Sequence, residues 1–504
     1  MVEPSAEPTA LRAGRARRAT ARDLCTVCAG KLAIGLVTLG TGFRAVSDDD
    51  FARVVLAQRF ALEPRLDPTG TSWLPVPFWL YGSVMALFGR SLSVARVLAF
   101  VLGLLSAALI YLAARQLGAG RGAAVAGTLL ASVFPYSAVL GVATVPELPT
   151  AALCVFAIAT TVRPSPGLRL GGAAALCAAC LSRYEPWVVA VGFVLLTAVD
   201  VARGRLGSDR RARLLGALAI ALGLLGPVAW LGHNALAHGD ALHFLARVSA
   251  YKQAVSGGGS GETPLAAALA YPIAIVQKEP ELALCALVLA VELVISRGPG
   301  ALIAPPAGRL GGFGLLLVLG LSAAAVRGGA PTHHVGRALL AVWLLLGLWC
   351  GIRGRALLRA SRPRVRAVWL GAALVLLALG VTILRPWYAR IGQFGDREDD
   401  VAMGERVAQR VPPGEPTLLE IRDYGYFALL AGSGQPESFV LDREIDPRLG
   451  EHGSSFESPA RARARARELG VRFLVASADG ACGLGAGLGT PRGRSRSWIL
   501  WELP

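Results

Sequence analysis

Charge is scarce in this chain. Of its 504 residues only 17% are Asp, Glu, Lys or Arg, 54% are hydrophobic, and the mean hydropathy is +0.52. A soluble globular protein carries roughly 25% charged residues, so a water-solvated fold along the whole length is excluded. Lysine is scarcer still: Lys31, Lys252 and Lys278 stand alone among many arginines, a skew that GC-rich coding produces without functional meaning. A disulfide framework is missing as well. The eight cysteines include the pairs Cys25/Cys28 and Cys177/Cys180, in or beside apolar runs, with no second Cys or His pair to complete a zinc site. They read as helix-packing cysteines, and only Cys482 lies in a polar tail. The basic arm LRAGRARRATARD lacks a cleavage site, and the apolar stretch after it, 24–46, is longer than a signal-peptide core. This predicts a retained anchor with a cytoplasmic N-terminus.

What the chain has instead is a succession of apolar runs, most of them long enough to cross a bilayer. Roughly eleven are expected: 26–46, 92–115, 122–141, 146–162, 168–182, 185–202, 213–233, 281–296, 311–326, 336–352 and 367–385. The formal charge of +17 invites a nucleic-acid reading, but the arginines fall in alternate gaps between runs, as the positive-inside rule requires. The two richest clusters, RGRLGSDRRAR (203–213) and RGRALLRASRPRVR (353–366), share the cytoplasmic side with the N-terminus. An odd number of spans then puts the tail on the opposite face.

Two segments on that outer side are too long to be plain loops, 47–91 and 234–280. In the first, DDDFARVVLAQRFAL reads as an amphipathic helix with Phe51, Val54, Val55 and Ala57 on one side, and Trp73, Trp79 and Tyr81 follow as interfacial aromatics. In the second, GDALHFLARVSAY and TPLAAALAYPIAIV are candidate surface-lying helices. The tail from 388 to 504 alternates strand-like runs (TLLEI, SFVLD, RFLVAS, SWILWEL) with helical ones (VAMGERVAQRV, DYGYFALLAG, SPARARARARELG), which predicts a small α/β domain. The expected organisation is a basic arm 1–25, a membrane domain 26–387 and this extracytoplasmic domain.

The candidate chemistry lies on the outer side. Asp48, Asp49 and Asp50 follow the first span. One Asp suffices to cap the next helix; three adjacent carboxylates repel, and raising a neighbour's pKa is a route to a general base. Glu147 opens the fourth span, either as a helix-start carboxylate or as a second acid at the same surface. SRYEPW supplies Arg183, a candidate for an anionic group, and Glu185, its alternative local partner. GGAPTHHVGR supplies His333, His334 and Arg337 at an outer helix start, suited to a phosphate; as a metal pair the histidines lack a third ligand. Trp73 and Glu185 are expected in the substrate cavity. Glu292, inside the eighth span, is by default a functional suspect, but its closeness to Arg297 favours a structural ion pair.

The arrangement resembles the GT-C superfamily of membrane glycosyltransferases, in particular the protein O-mannosyltransferase and lipid A aminoarabinose transferase group. The resemblance covers roughly 26–390. It rests on the acidic motif after the first span, SWLPVPFWLYGSVMALFG leading to SLSVARVL, FPYSAVLGVATVPELPTAALCVFAIA, SRYEPW and WLGHNALAHGDALHFL. Two departures stand out: an Asp triplet replaces the usual Asp-Glu pair, and WLPVP replaces a His/Lys-Pro-Pro-Leu stretch. The resemblance implies a polyprenyl-phosphate-sugar donor, an acceptor hydroxyl on a lipid, glycan or protein, and inverting transfer at the outer face of a bacterial inner membrane. Asp48–Asp50 and Glu147 would be catalytic, with Arg183, His333, His334 and Arg337 at the donor phosphate. No cofactor and no nucleic acid are implied, and a divalent metal is not favoured. A transporter or lipid flippase, or a non-catalytic protein of the same fold, are the alternatives; no internal repeat of the transporter kind is apparent.

Overall fold

The computed structural model describes residues 9–70, 72–255, 263–328, 335–363, 396–443 and 453–504. The expected eleventh span, 367–385, and the histidines His333 and His334 lie outside them. Every other expected run falls on a described helix. Helix α1 (Thr9–Gly40) takes in the basic arm together with the first run, and α2 (Asp48–Leu62) and α3 (Val76–Phe88) occupy the first long loop. There follow α4 (Leu92–Gln116), α5 (Arg121–Val133), α6 (Pro135–Leu140), α7 (Glu147–Thr160), α8 (Pro166–Cys180), α9 (Glu185–Ala202) and α10 (Arg210–His238). The second long segment carries α11 (His243–Val255) and α12 (Pro264–Lys278); then come α13 (Pro280–Arg297), α14 (Gly300–Ile303), α15 (Ala307–Val326), α16 (Val335–Ala338) and α17 (Leu340–Ala360).

Six described helices are long and apolar enough to cross a membrane: α1, α4, α9, α10, α15 and α17. Helices α3, α5, α7 and α8 are apolar but shorter. The run 122–141 is two helices rather than one. Pro135 has no N–H to continue α5 and forces Phe134 into extended backbone, so the helix ends and restarts. The protein is a polytopic helical membrane protein. Leu36, Val97, Leu195, Val228, Leu287 and Leu319 are exposed on its helices, a liability in water and the ordinary lipid-facing surface of a bundle.

Small residues set the close approaches. A Cβ on Gly351 of α17 would sit 2.2 Å from the Gly127 Cα of α5, and one on Gly347 would sit 3.0 Å from the Ala131 Cα. Backbones this near gain dispersion contacts that lipid does not supply. Two ion pairs lie inside the bundle: Arg169 to Asp200 at 3.0 Å, and Glu292 to Arg353 at 2.6 Å. Glu292 thus sits in an ion pair, as expected, although its partner is Arg353 and not Arg297.

The tail folds into α18 (Glu398–Arg410), β1 (Thr417–Leu419), α19 (Tyr426–Ser433), β2 (Phe439–Leu441), α20 (Pro459–Glu468), β3 (Phe473–Ser477), β4 (Thr490–Arg494) and β5 (Trp498–Glu502). The sheet order is β2-β1-β3-β5-β4, with β1, β2 and β3 parallel and β5 antiparallel to both its neighbours. The polar edge strand TPRGR gave no strand signal in the sequence, since nothing on it alternates into a core and Pro491 and Gly493 bracket a bulge. In α20 the small side chains of Ala462 and Ala466 face the sheet while the arginines remain outside.

The amphipathic face foreseen for α2 is real, and protein covers it. Phe51, Val54 and Val55 share one buried cluster with Met403, Leu429 and Trp498 of the tail. The Gln58 amide donates to the carbonyls of Ala431 (2.8 Å) and Arg90 (2.9 Å), stitching the tail to the bundle. Asp400, which accepts from the Trp498 indole at 2.7 Å, lies in this joint. Burial pushes its carboxyl up to about 6 from 3.8, against the pull of Trp498 and Arg397. A raised acid stabilises the fold while protonated: its contribution is complete below 3.8 and is lost as pH rises through about 6. The melting temperature is thus expected to fall from pH 4 to pH 7 by more in the native protein than in Asp400→Asn, read by tryptophan fluorescence.

Candidate active site

The end of the bundle where α2 starts gathers side chains from well-separated stretches of chain. Ser47 caps α2 in a reciprocal box: its hydroxyl accepts the backbone N–H of Asp50, the third residue of the helix, and the Asp50 carboxylate accepts the N–H of Ser47. Asp50 Oδ2 accepts the N–H groups of Val46 (3.0 Å) and Ser47 (3.2 Å), and Oδ1 accepts that of Thr144 (3.1 Å). Burial pushes this carboxyl up to about 6, while Arg337 and the backbone donors at Val46 and Ser47 pull it down. Its lone pairs are spent on tying α2 to the loop before α7, which makes Asp50 the capping member of the triplet.

Asp48 faces the other way. It takes a two-pronged bond from Arg397, with Nε and Nη2 each 3.1 Å from a carboxylate oxygen, and Arg397 also reaches Asp423 at 3.2 Å. Burial raises the Asp48 carboxyl above its ordinary range despite Arg397. Asp49 remains, 36% exposed at its side chain, with Arg337 Nη1 donating at 2.8 Å. Three neighbours in sequence are divided among capping, tail anchoring and the ion pair with Arg337 because successive helical residues point about 100° apart.

Glu147 is the centre of the cluster. Its side chain is fully buried, and Oε1 receives Arg183 Nη1 (2.6 Å), Arg337 Nε (2.7 Å) and Arg337 Nη2 (2.6 Å). Arg183 also forks onto Glu185 at 3.1 and 3.2 Å, so its local pair and its longer reach coexist. Oε2 of Glu147 is buried with no hydrogen-bond partner among the described residues. A crevice lined by Glu147, Thr150, Cys154, Arg183, Glu185 and Arg337 lies against it. A buried carboxylate oxygen without a donor is costly, and Oε2 is the acceptor left over at this site.

Arg53, one turn along α2 from Asp49, escaped the sequence reading. Its guanidinium lies 4.4 Å above the Trp73 ring and 5.8 Å from Phe78, both at cation–π range. Its Nε is buried without a hydrogen-bond partner among the described residues. The signal was available: an arginine on the apolar side of an amphipathic helix has to find a partner inside. Trp73, stacked on Phe78 at 6.1 Å, is part of this wall. Thus Asp49, Glu147, Arg183, Glu185, Arg337 and Trp73 come together, Asp48 and Asp50 adjoin them in bound roles, and His333 and His334 fall outside the described residues. Among those residues the cluster sets carboxylates against guanidiniums in near balance. Such a site can take a proton at Asp49 and hold an anion at Arg53, Arg183 or Arg337.

Residues 68–230 match the family model described as dolichyl-phosphate-mannose-protein mannosyltransferase. No curated protein matches the chain in sequence. Among solved structures, the chain is similar to ArnT from Cupriavidus metallidurans bound to undecaprenyl phosphate, at 15% identity and a TM-score of 0.56 over 97% of both chains. The apo state of the same protein aligns with a TM-score of 0.57 at 15% identity, over 97% of this chain and 98% of that one. The archaeal oligosaccharyltransferase AglB from Archaeoglobus fulgidus, in complex with an inhibitory peptide and a dolichol-phosphate, aligns at 12% identity with a TM-score of 0.51, over 91% of this chain and 69% of that one. These likenesses bear out the resemblance read from the sequence: the chain carries the GT-C fold of membrane glycosyltransferases.

Proposed function

We propose that this GT-C-fold protein is a glycosyltransferase that moves a sugar from a polyprenyl-phosphate donor to an acceptor hydroxyl at the outer face of a bacterial inner membrane. The observation that carries the reading is the buried, donorless Glu147 Oε2 beside Arg183 and Arg337, with Asp49 on the far side of the same Arg337. The undecaprenyl and dolichol phosphates in the similar structures support a lipid-linked donor. In the proposed step Asp49 takes the proton of the acceptor hydroxyl as that oxygen attacks the anomeric carbon. The bond from anomeric carbon to phosphate oxygen breaks, its electron pair leaves with the lipid phosphate, and the sugar centre inverts. Lipid phosphate leaves without needing a proton, so guanidiniums near it suffice; Arg53, Arg183 and Arg337 are the described candidates, and His333 and His334 would join them. Glu147 would orient both arginines. These groups supply the chemistry without a metal or cofactor.

The test is direct. Purified protein in lipid nanodiscs is given a polyprenyl phosphate carrying a radiolabelled sugar, with membrane lipid or glycan extracts as acceptor. Time-dependent transfer of label, with free polyprenyl phosphate as the second product, is the expected result. Intact donor that merely changes leaflets would instead identify a flippase.

A further inference from the structure

The pole of the bundle away from Glu147 carries a second group of guanidiniums. Helix α8 starts at Pro166 and ends just before Arg183, while α9 runs back from Glu185 to Ala202. At 1.5 Å per residue Arg169 stands roughly 20 Å along α8 from Arg183. Helix α15 lies antiparallel to α9, with Gly320 against Val188 and Gly192 against Leu316, and that register carries Arg309 toward Asp200. We propose that Arg169 and Arg309, with Arg205 at the rim, form a pocket between helices for the phosphate of an anionic phospholipid.

The argument begins with donors that lack acceptors. The Arg169 side chain is 1% exposed; Nη1 donates to Thr197 Oγ1 (2.9 Å), and Nη2 to Asp200 Oδ2 (3.0 Å) and Thr161 O (3.4 Å). Its Nε is buried with no hydrogen-bond partner among the described residues, and the same holds for Arg309 Nε. Arg309 is near enough to act on the Arg169 charge, and no carboxylate pairs with it among those residues. Asp200 is already shared, because Arg205 Nη1 lies 3.5 Å from its other oxygen. Three guanidiniums thus surround one carboxylate.

A buried donor without an acceptor is costly, and like charges away from water are weakly screened. One phosphate relieves both, since its oxygens match the guanidinium fork. The position selects a lipid as its carrier. Helices α9, α10 and α15 are long and apolar enough to cross a membrane, so their ends stand at the level of the headgroups. The loop joining α9 to α10 adds exposed Arg203, Arg210, Arg211 and Arg213 against Asp209 alone, a field that gathers anionic headgroups. A bound headgroup would tie α8, α9 and α15 together at this pole. The pocket does not depend on the transfer reaction proposed above.

The full chain, delipidated in a neutral detergent, is titrated with phosphatidylglycerol and followed by native mass spectrometry and thermal melting. One tightly held phosphatidylglycerol per chain is expected, with a higher melting temperature than in phosphatidylcholine at equal lipid content. Arg309→Gln should hold that lipid on the order of 10-fold more weakly. In phosphatidylcholine it should melt as the native chain does, because no ion pair is broken. Arg169→Gln strands Asp200 and is expected to melt early, so the Arg309 variant carries the test. Arg355→Gln removes one exposed charge from α17 at the same pole and should bind as the native chain does. Undiminished binding by Arg309→Gln, or an equal loss in Arg355→Gln, overturns the pocket. Equal stabilisation by inorganic phosphate in phosphatidylcholine overturns the lipid as its occupant.

Discussion

Asp49→Asn is expected to lower sugar transfer by about two to four orders of magnitude, the usual worth of a positioned general base, while the protein melts at its native temperature. Asparagine keeps an oxygen for Arg337 Nη1, which now lies 2.8 Å from Asp49 Oδ2, so the packing need not change. The neighbours give the contrast. Asp50→Asn disturbs a carboxylate that joins Val46, Ser47 and Thr144, and Asp48→Asn weakens a two-pronged bond to Arg397. Both should show first in the melting curve and only secondarily in rate. Full transfer by a chain with all three aspartates replaced would remove the base from this stretch altogether.

Arg337→Met should cost stability as well as activity. Arg337 is 5% exposed at its side chain and gives bonds to Glu147, Asp49 and Ser47. Breaking a buried pair from one side leaves the partner charge uncompensated, at about 3–5 kcal/mol. Glu147 keeps Arg183 at 2.6 Å, which puts the expected loss toward ~3 kcal/mol. Adding Glu147→Gln removes the stranded charge and should recover much of the melting temperature without restoring transfer, because the cation near the leaving phosphate is still missing. Thermal melting and donor turnover measured on the two variants separate the structural part of Arg337 from its part at the phosphate. Recovery of both together would mean that Arg337 acts only through stability.

Much of this site was legible along the chain and part of it was not. Glu147, Arg183 and Arg337 each stand at the start of an apolar run, so counting runs brings them to one surface without any knowledge of packing. The division of labour within Asp48–Asp50 had no such signal. It follows from where Thr144, Arg337 and Arg397 stand around the first turn of α2, and those residues are distant in sequence. Arg53 was hidden for the same reason: a lone arginine acquires meaning only from what packs against it. The strand β4 was missed because an edge strand needs no hydrophobic face.

Hydropathy acts locally, one segment at a time, and a bilayer rejects charge whatever the rest of the chain does. For that reason the amino-acid order alone settled that this is a polytopic membrane protein, roughly where its helices run and that a small α/β unit follows them. Ion pairing works only over a few ångströms and between groups that have left water together. Which carboxylate meets which guanidinium, and which oxygen of Glu147 is left without a donor, was therefore decided by the packing of α2, α7, α16 and the turn before α9 and by nothing written in any one of them.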